Sequence, residues 1–169
     1  MAHALILGMT ESGKTGLAKK LAGTFSKAGK RVLVFDPMGD PEWVADFKTH
    51  NFEEFLDEYW SSRSCAVFFD ESGEAAQEND KALIKTAIKG RHWGHSNHYI
   101  TQRGALIPKT LRDQCRHLFM FAQSLDDAKI YARDYNSPEL ARVTGFMQGE
   151  YMHTTKYTTA KYGRTFTPT

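Results

Sequence analysis

Short apolar runs alternate along this chain with longer stretches in which apolar residues recur every three or four positions. Five runs, each bounded by glycine, proline or charged residues and each too short for a helix, predict buried strands: Ala4–Leu7, Arg31–Phe35, Ala66–Phe69, Tyr99–Thr101 and His117–Phe121. Helical spacing predicts helices between and after them: Lys14–Ala28, a segment around Phe52–Tyr59, Asn79–Gly90, Asp126–Asp134 and Pro138–Phe146. This alternation is typical of a three-layer α/β fold, in which helices cover both faces of a mainly parallel sheet.

The end of the chain has a different composition. Residues Gly149–Thr169 are rich in Thr and Tyr and poor in aliphatic side chains, which favours extended structure. We therefore divide the chain into a core of residues 1–148 and a β-rich tail, 149–169, that belongs to the same domain. Two arrangements of the tail stay open: an edge hairpin on its own domain, or an arm that reaches a neighbouring subunit.

Composition narrows the class of protein. The chain has 169 residues, 41% of them hydrophobic and 25% charged, which fits a single globular domain. Only Cys65 and Cys115 are present, too few for a disulfide scaffold or a zinc knuckle, and their apolar surroundings predict buried thiols. No apolar run approaches the ~18 residues of a membrane span, and the first residues lack the charged start of a signal peptide. We expect a soluble, intracellular protein.

A phosphate-binding loop follows the first predicted strand. The segment Gly8–Thr15 fits the pattern GxxxxGK[ST] at every fixed position, and it lies between a strand and a helix as that loop requires. Backbone N–H groups and the start of the helix would bind phosphates, Lys14 would reach the β- and γ-phosphates, and the Thr15 hydroxyl would hold Mg²⁺. The nucleotide-binding residues are expected to be Gly8, Met9, Thr10, Glu11, Ser12, Gly13, Lys14, Thr15 and Gly16.

Two carboxylates end the strand Ala66–Phe69. Asp70 suits a metal ligand or a ligand of metal-bound water, and Glu71 suits a general base that activates water for attack on the γ-phosphate. Such a pair favours hydrolysis over transfer to another substrate. The alternative is a helix N-cap with solvated acids. Asp70 and Gly73 also satisfy the DxxG of GTP-binding proteins, but no NKxD motif follows that would recognise guanine.

Asp36, after the second strand, either approaches the nucleotide or only begins the turn at Pro37.

A third group of polar residues follows the third predicted helix. Arg91 and Gly94 form an RxxG, a strand follows, and Thr101-Gln102-Arg103 ends it. Gln102 suits a residue that hydrogen-bonds the γ-phosphate or the attacking water.

These motifs, in this order, resemble those of the FtsK–HerA superfamily of DNA-pumping ATPases. The short, single-domain form resembles the genome-packaging ATPases of tailless, membrane-containing icosahedral viruses. The resemblance covers roughly Ala2–Phe121, and the C-terminal quarter matches nothing in it. One departure is the loop itself, where Met9-Thr10-Glu11-Ser12 replaces the glycines and serines that the family often has, with Glu11 adding an acid beside the phosphates.

The resemblance implies ATP and Mg²⁺ as cofactors, with Lys14 and Thr15 as phosphate and metal ligands and Asp70 organising the metal. Glu71 would be the general base and Gln102 the polar sensor. Arg91 would be an arginine finger that completes a neighbour's site in a homo-oligomeric ring, expected to be a hexamer. The alternative for Arg91 is a cation that complements a helix C-terminus. Arg103 is either a second finger or a residue that contacts DNA.

The resemblance also implies partners and a location. The partners are double-stranded DNA and capsid or portal-vertex proteins. The location is the cytoplasm of an infected host cell or the packaging vertex of a virion, and no membrane segment is expected in the chain. The net charge is only +2, but residues 89–117 carry six bases and one acid, which form either a DNA-binding surface or a solvated basic face. A metal site at His92, His95 and His98 is disfavoured because the spacing crosses a predicted helix end.

Two other functions remain alternatives at this stage. A small phosphotransferase, similar to a nucleoside kinase, fits the size of the chain. An assembly ATPase of the filamentous-phage type fits the motor motifs, although such proteins usually carry a membrane segment.

Overall fold

The computed structural model describes residues 2–70 and 75–166. Within those ranges the strands are β1 (His3–Leu7), β2 (Val32–Phe35), β3 (Phe47–Thr49), β4 (Ala66–Phe69), β5 (Ser96–Thr101), β6 (Cys115–Met120), β7 (Glu150–Thr155) and β8 (Thr158–Arg164). The α-helices are α1 (Lys14–Lys27), α2 (Phe52–Ser61), α3 (Ala75–Lys89), α4 (Lys109–Gln114) and α5 (Leu125–Asp134). Short 3₁₀ helices occupy Gly90–Trp93, Gly104–Leu106 and Pro138–Gly145.

The described strands form one sheet in the order β3-β2-β4-β5-β1-β6-β7-β8. Strands β1 to β6 pair in parallel, and β7 and β8 add an antiparallel edge. All five predicted strands are present, and β5 lies between β1 and β4. The predicted three-layer α/β fold of a P-loop protein is therefore confirmed.

Helices cover both faces of the sheet, which explains why the central strands are apolar at nearly every position. On one face, α1 contributes Leu17, Ala18 and Ala22 to a core with Ile6 of β1. On the other face lies a larger core that includes α2, α3 and α5. Successive strand residues point to opposite faces, so a strand buried on both sides needs an unbroken apolar run.

Three elements of the structure differ from the prediction. Strand β3 was not predicted, because it has only three residues and alternates half-buried Phe47 with exposed Lys48. Helix α4 was not predicted either, because six residues are too few to show a period. The segment Pro138–Gly145 forms a 3₁₀ rather than an α-helix; its buried side chains, Leu140 and Val143, are three residues apart, which suits three residues per turn.

The tail forms a β-hairpin from β7 and β8. Strand β7 pairs antiparallel with β6 of the same chain, with His117 opposite Thr155, and β8 pairs with β7. Threonines stabilise the turn, where the Thr154 hydroxyl donates to the carbonyl of Thr158 at 2.9 Å. Of the two arrangements considered, the structure has the hairpin on its own sheet.

Both cysteines are buried free thiols, as predicted, and burial raises the pKa of each. Among the helices that the structure describes, none is long and apolar enough to cross a membrane.

Candidate functional site

Parallel pairing brings the predicted motifs to one edge of the sheet. Tyr99 of β5 lies opposite Leu5 of β1 on one side and Phe69 of β4 on the other. The residues that follow these strands, namely the loop after β1, Asp70 after β4 and Gln102 after β5, therefore meet at the carboxyl edge. Ligands of open α/β sheets bind at this edge.

The loop Gly8–Gly13 is held by β5 and by the segment that follows β6. The Gly8 N–H donates to the Thr101 carbonyl at 3.2 Å, and the Met9 N–H donates to the Ala122 carbonyl at 3.0 Å. A side chain at Gly8 has no room, because a Cβ there would lie 2.2 Å from Oγ of Ser12. Gly13 has a φ of 104°, a left-handed conformation that only glycine adopts without strain. The two fixed glycines of the motif are thus required by the backbone path.

This loop fits a phosphate group. Helix α1 begins directly after Gly13, with no side-chain cap and no acidic residue in its first turn, so its N–H groups are left for a ligand. The Ser12 Oγ atom is buried and has no hydrogen-bond partner within the described residues. The side chain of Lys14 is only 5% exposed, while Glu11 faces solvent. A buried lysine at a helix N-terminus makes the cradle positive, as binding of an anion requires.

Acidic residues follow β2 and β4. Asp70 is 6% exposed, and its N–H donates to the Phe35 carbonyl at 2.9 Å, which fixes its backbone at the edge. Thr15, at the start of α1, is partly buried. Both side chains offer oxygen atoms, the ligands that Mg²⁺ prefers, so the donor set fits the ion. Glu71 lies outside the described residues.

Asp36 has a structural role. Its two carboxylate oxygens accept the N–H groups of Met38, at 3.0 Å, and of Asp40, at 2.5 Å. The sequence left two roles open for Asp36, contact with the nucleotide or formation of the turn at Pro37. In the structure its carboxylate organises the turn after β2.

Gln102 contacts the loop directly. The Thr10 hydroxyl donates to Oε1 of Gln102 at 2.9 Å, so the loop and the end of β5 are joined. The Gln102 carbonyl accepts from the side-chain amide of Gln123, at 2.9 Å. Both side chains line a cleft of about 290 Å³ beside the loop, together with Met9, Thr10, Arg103, Ser124 and Asp127.

Gln123, Ser124 and Asp127 were not among the predicted site residues. Asp127 accepts the Ala105 N–H at 2.9 Å and so fixes the segment after Gln102. A signal was present in the sequence, because Gln123 follows the strand His117–Phe121 just as Gln102 follows its own strand.

Arg91 lies at the opposite, amino edge of the sheet. It precedes β5, which starts at Ser96 and runs parallel to β1, and its guanidinium donates to Oε1 of Gln114 at 2.5 Å. Burial, followed by the nearby charge of Arg91, lowers the pKa of His3 at the start of β1 to about 4. Arg91 is therefore remote from the loop of its own chain, whereas the exposed Arg103 lines the cleft beside that loop.

The six bases of residues 89–117 do not form one surface. Arg112 is buried and paired with Asp134 at 3.3 Å, and Lys109 is paired with Asp113 at 2.8 Å. Arg103 lies at the carboxyl edge and Arg91 at the amino edge.

Two histidines of this stretch, His95 and His98, contact the backbone. His95 accepts the Cys65 N–H at 3.1 Å, and Nδ1 of His98 lies 3.1 Å from the Val67 carbonyl. Burial lowers the pKa of His95, and it lowers that of His98 to about 4. Within residues 2–70 and 75–166, no group of three or more His, Cys, Asp or Glu could hold a metal ion.

The sheet order, the loop and the polar residues at the carboxyl edge define a P-loop NTPase domain. Residues 1–146 match the family described as the central domain of the helicase HerA, and the chain belongs to that family. This match extends beyond Phe121, the last residue covered by the resemblance that the sequence motifs indicated. A search of curated proteins finds no match to the sequence.

Solved structures share this fold. The genome-packaging NTPase B204 of Sulfolobus turreted icosahedral virus 2, in complex with AMPPCP, has a TM-score of 0.79 at 15% identity, covering 96% of this chain and 97% of that one. The pCW3 conjugation coupling protein TcpA, with ATPγS, has a TM-score of 0.75 at 13% identity, covering 96% of this chain and 59% of that one. VirB4 of Thermoanaerobacter pseudethanolicus has a TM-score of 0.72 at 12% identity, covering 96% and 88%. The predicted resemblance to FtsK–HerA ATPases and to viral packaging ATPases is confirmed.

Proposed function

We propose that this chain hydrolyses ATP and uses the energy to translocate double-stranded DNA into a preformed viral capsid. The observation that carries the proposal is the phosphate cradle: the buried Lys14 and the left-handed Gly13 at the start of α1, next to Asp70 and Gln102. The choice of packaging is supported by the end-to-end agreement with B204, a genome-packaging NTPase. The match to the conjugation protein covers a smaller part of that protein.

The residues at the carboxyl edge divide the chemistry among them. Loop N–H groups and Lys14 bind the phosphates. The Thr15 hydroxyl and Asp70 would hold Mg²⁺, which would neutralise the charge that develops on the phosphates. Glu71, the second acid of the pair, takes a proton from the attacking water. Gln102 is the sensor: because its side chain is bonded to Thr10 of the loop, a change at the γ-phosphate would reach β5 through one hydrogen bond.

Arg91 is the proposed finger for a neighbouring subunit. Since it lies at the amino edge, it cannot reach the loop of its own chain, and a head-to-tail ring would bring it to the next one. We propose a hexameric ring that surrounds DNA and docks on capsid or portal-vertex proteins, in the host cytoplasm or at the packaging vertex. Arg103, which lines the cleft beside the loop, is the alternative finger.

The test is phosphate release from ATP across a protein dilution series, with and without double-stranded DNA. We expect turnover per subunit to rise with protein concentration and with DNA. Arg91→Ala should lower it roughly 10³-fold, the scale of an arginine finger. Arg63→Ala is the matched control, because Arg63 is also exposed at the amino edge, where its guanidinium lies 4.8 Å from the ring of Trp93.

The outcomes separate the candidates. If Arg103→Ala has the large effect and Arg91→Ala has none, the finger is Arg103. Turnover that depends on neither concentration nor DNA would contradict the ring motor. A phosphorylated nucleoside as product, instead of free phosphate, would identify a phosphotransferase.

A further inference from the structure

The C-terminal hairpin is in direct contact with the phosphate loop. The N–H of Gly149, the residue before β7, donates to the carbonyl of Ser12 at 2.8 Å. Gly149 is buried and has a φ of 86°, and a Cβ built on Gly13 would lie 3.2 Å from its Cα. The two glycines are therefore packed against each other, 136 residues apart in the chain.

This contact orients a peptide group of the loop. The bond between Ser12 and Gly13 is trans, as are all peptide bonds of the described residues, and in a planar trans peptide the C=O and N–H point in opposite directions. Because the Ser12 carbonyl points outward to Gly149, the Gly13 N–H points away from the hairpin, to the inner side of the loop. Backbone N–H groups on that side bind the α- and β-phosphates in loops of this pattern.

The hairpin holds Gly149 in place from its other end. The Gly149 carbonyl accepts the Thr165 N–H at 2.8 Å and the Thr165 hydroxyl at 3.3 Å. The Thr165 carbonyl in turn accepts from the ammonium group of Lys20, which belongs to α1. Loop, helix and hairpin are thus joined in a closed chain of hydrogen bonds.

Packing supports the same contact. Phe121, which directly follows β6, is fully buried beneath the loop, with its ring 3.3 Å from the position of a Cβ on Gly13. Its ring also contacts that of Tyr151 in β7, with centroids 5.2 Å apart. A displacement of the hairpin would therefore be transmitted to the loop.

We propose that Gly149, whose carbonyl is held by Thr165, is a positioning residue for the nucleotide site: its N–H sets the Ser12–Gly13 peptide so that the Gly13 N–H is available to phosphate. The hairpin thereby sets nucleotide affinity. This inference rests on the proposed binding of ATP at the loop, and it assigns a role to the part of the chain in which the sequence showed no motif.

The experiment compares alanine at two left-handed glycines. Gly149→Ala adds a Cβ at φ 86°, 2.9 Å from the Phe166 ring, and shifts the donor N–H. Gly29→Ala is the control: Gly29 has a φ of 76° at the far end of α1, with no atom within 4 Å of the new Cβ. Both variants carry similar backbone strain, but only one touches the loop.

Calorimetry measures the dissociation constants for ATP and ADP, and denaturant unfolding measures stability. We expect Gly149→Ala to weaken both nucleotides about tenfold, the effect of one misplaced hydrogen bond to a charged group. KM for ATP should rise to the same extent while kcat changes less than about twofold, because the misplaced N–H binds phosphates that ground and transition states share. Gly29→Ala should leave both nucleotide affinities unchanged. The amide proton shift of Gly13, read by NMR without nucleotide, should move only in Gly149→Ala.

A milder pair keeps the test valid if Gly149→Ala does not fold. Thr165→Val removes the hydroxyl that holds Gly149, and Thr158→Val removes one at the far turn of the hairpin, which accepts the Thr155 N–H at 3.2 Å. We expect about threefold weaker ATP binding for the first variant only. Equal affinity in wild type, Gly149→Ala and Thr165→Val would overturn the inference while leaving ATP binding intact. A wild-type protein that binds no nucleotide would instead overturn the proposed function, and this inference with it.

Discussion

Among single residues, Arg112 and Asp134 show that burial can change the role of a charged side chain from binding a ligand to stabilising the fold. Their side chains are 10% and 9% exposed, 3.3 Å apart, and they join α4 to α5. The guanidinium also lies 5.4 Å from the centroid of the Tyr131 ring. In the sequence Arg112 counts as one of six bases of a basic stretch. In the fold Arg112 forms a buried ion pair with Asp134, so it is not part of a surface that could bind DNA.

We expect Asp134→Asn to lower the free energy of unfolding by about 3 kcal/mol, because it leaves the guanidinium buried without its counter-charge. The double variant Arg112→Met, Asp134→Leu should come back to within about 1 kcal/mol of wild type, since no charge is then buried. Denaturant unfolding measures both.

The exposed pair Lys109 and Asp113 is the control for this prediction. Asp113→Asn should cost less than about 1 kcal/mol, as surface ion pairs do. Equal losses for Asp134→Asn and Asp113→Asn would contradict the burial argument.

Among the elements, β5 is a strand in which polar residues occupy buried positions. The periodicity placed a strand at Tyr99–Thr101, but β5 begins at Ser96 and all six residues are buried. Its polar residues find partners on other elements of the core: the Asn97 amide donates to the hydroxyl of Tyr59 in α2 at 3.0 Å and to the carbonyl of Thr86 in α3 at 3.1 Å. On the other face His98 stacks on Phe68, with ring centroids 4.4 Å apart. A polar pattern indicated a loop because these partners are distant in sequence.

The burial of His98 predicts a pH dependence of stability. Burial lowers its pKa to about 4, against a usual value near 6.5, so between pH 6.5 and pH 4 the unfolded chain binds more protons than the folded one. The free energy of unfolding therefore falls as the pH falls through this window. Between pH 7 and pH 5, His98 alone should account for a loss of about 2 kcal/mol.

We expect His98→Phe to remove this part of the pH dependence, whatever its effect on stability at pH 7. The measurement is denaturant unfolding at pH 7 and pH 5 for wild type and variant. His50→Phe, at an exposed histidine, is the control and should keep the wild-type slope. Parallel slopes for wild type and His98→Phe would show that His98 takes up its proton equally well in the folded state.

For the whole molecule, the important fact is that the two proposed halves of the catalytic site lie at opposite edges of one sheet. The phosphate loop follows β1 at the carboxyl edge, and Arg91 precedes β5 at the amino edge. The sheet separates them, so a site that needs both must combine two subunits.

Mixed rings test this directly. Lys14→Ala and Arg91→Ala proteins should each be nearly inactive, but when they are co-expressed about a quarter of the contacts in a randomly assembled ring would pair an intact loop with an intact arginine. We expect turnover near that fraction of the wild-type value. The double variant, mixed with wild type, is the control for dilution of sites. Mixed rings no more active than the single variants would exclude a site shared in this way.

The sequence by itself determined what depends on neighbouring residues: the central strands, most helices, the phosphate loop and the polar residues that end β4 and β5. Short-range periodicity and fixed backbone conformations carry that information, because burial on both faces demands unbroken apolar strands and a phosphate cradle demands glycines.

Only the tertiary structure decided which residues meet across the chain. Gln123 beside Gln102, Arg112 beside Asp134, the polar partners of β5, and Gly149 against Ser12 are all contacts between distant segments. No local pattern encodes them, because each residue's environment is set by the strand order and by the packing of helices on the sheet.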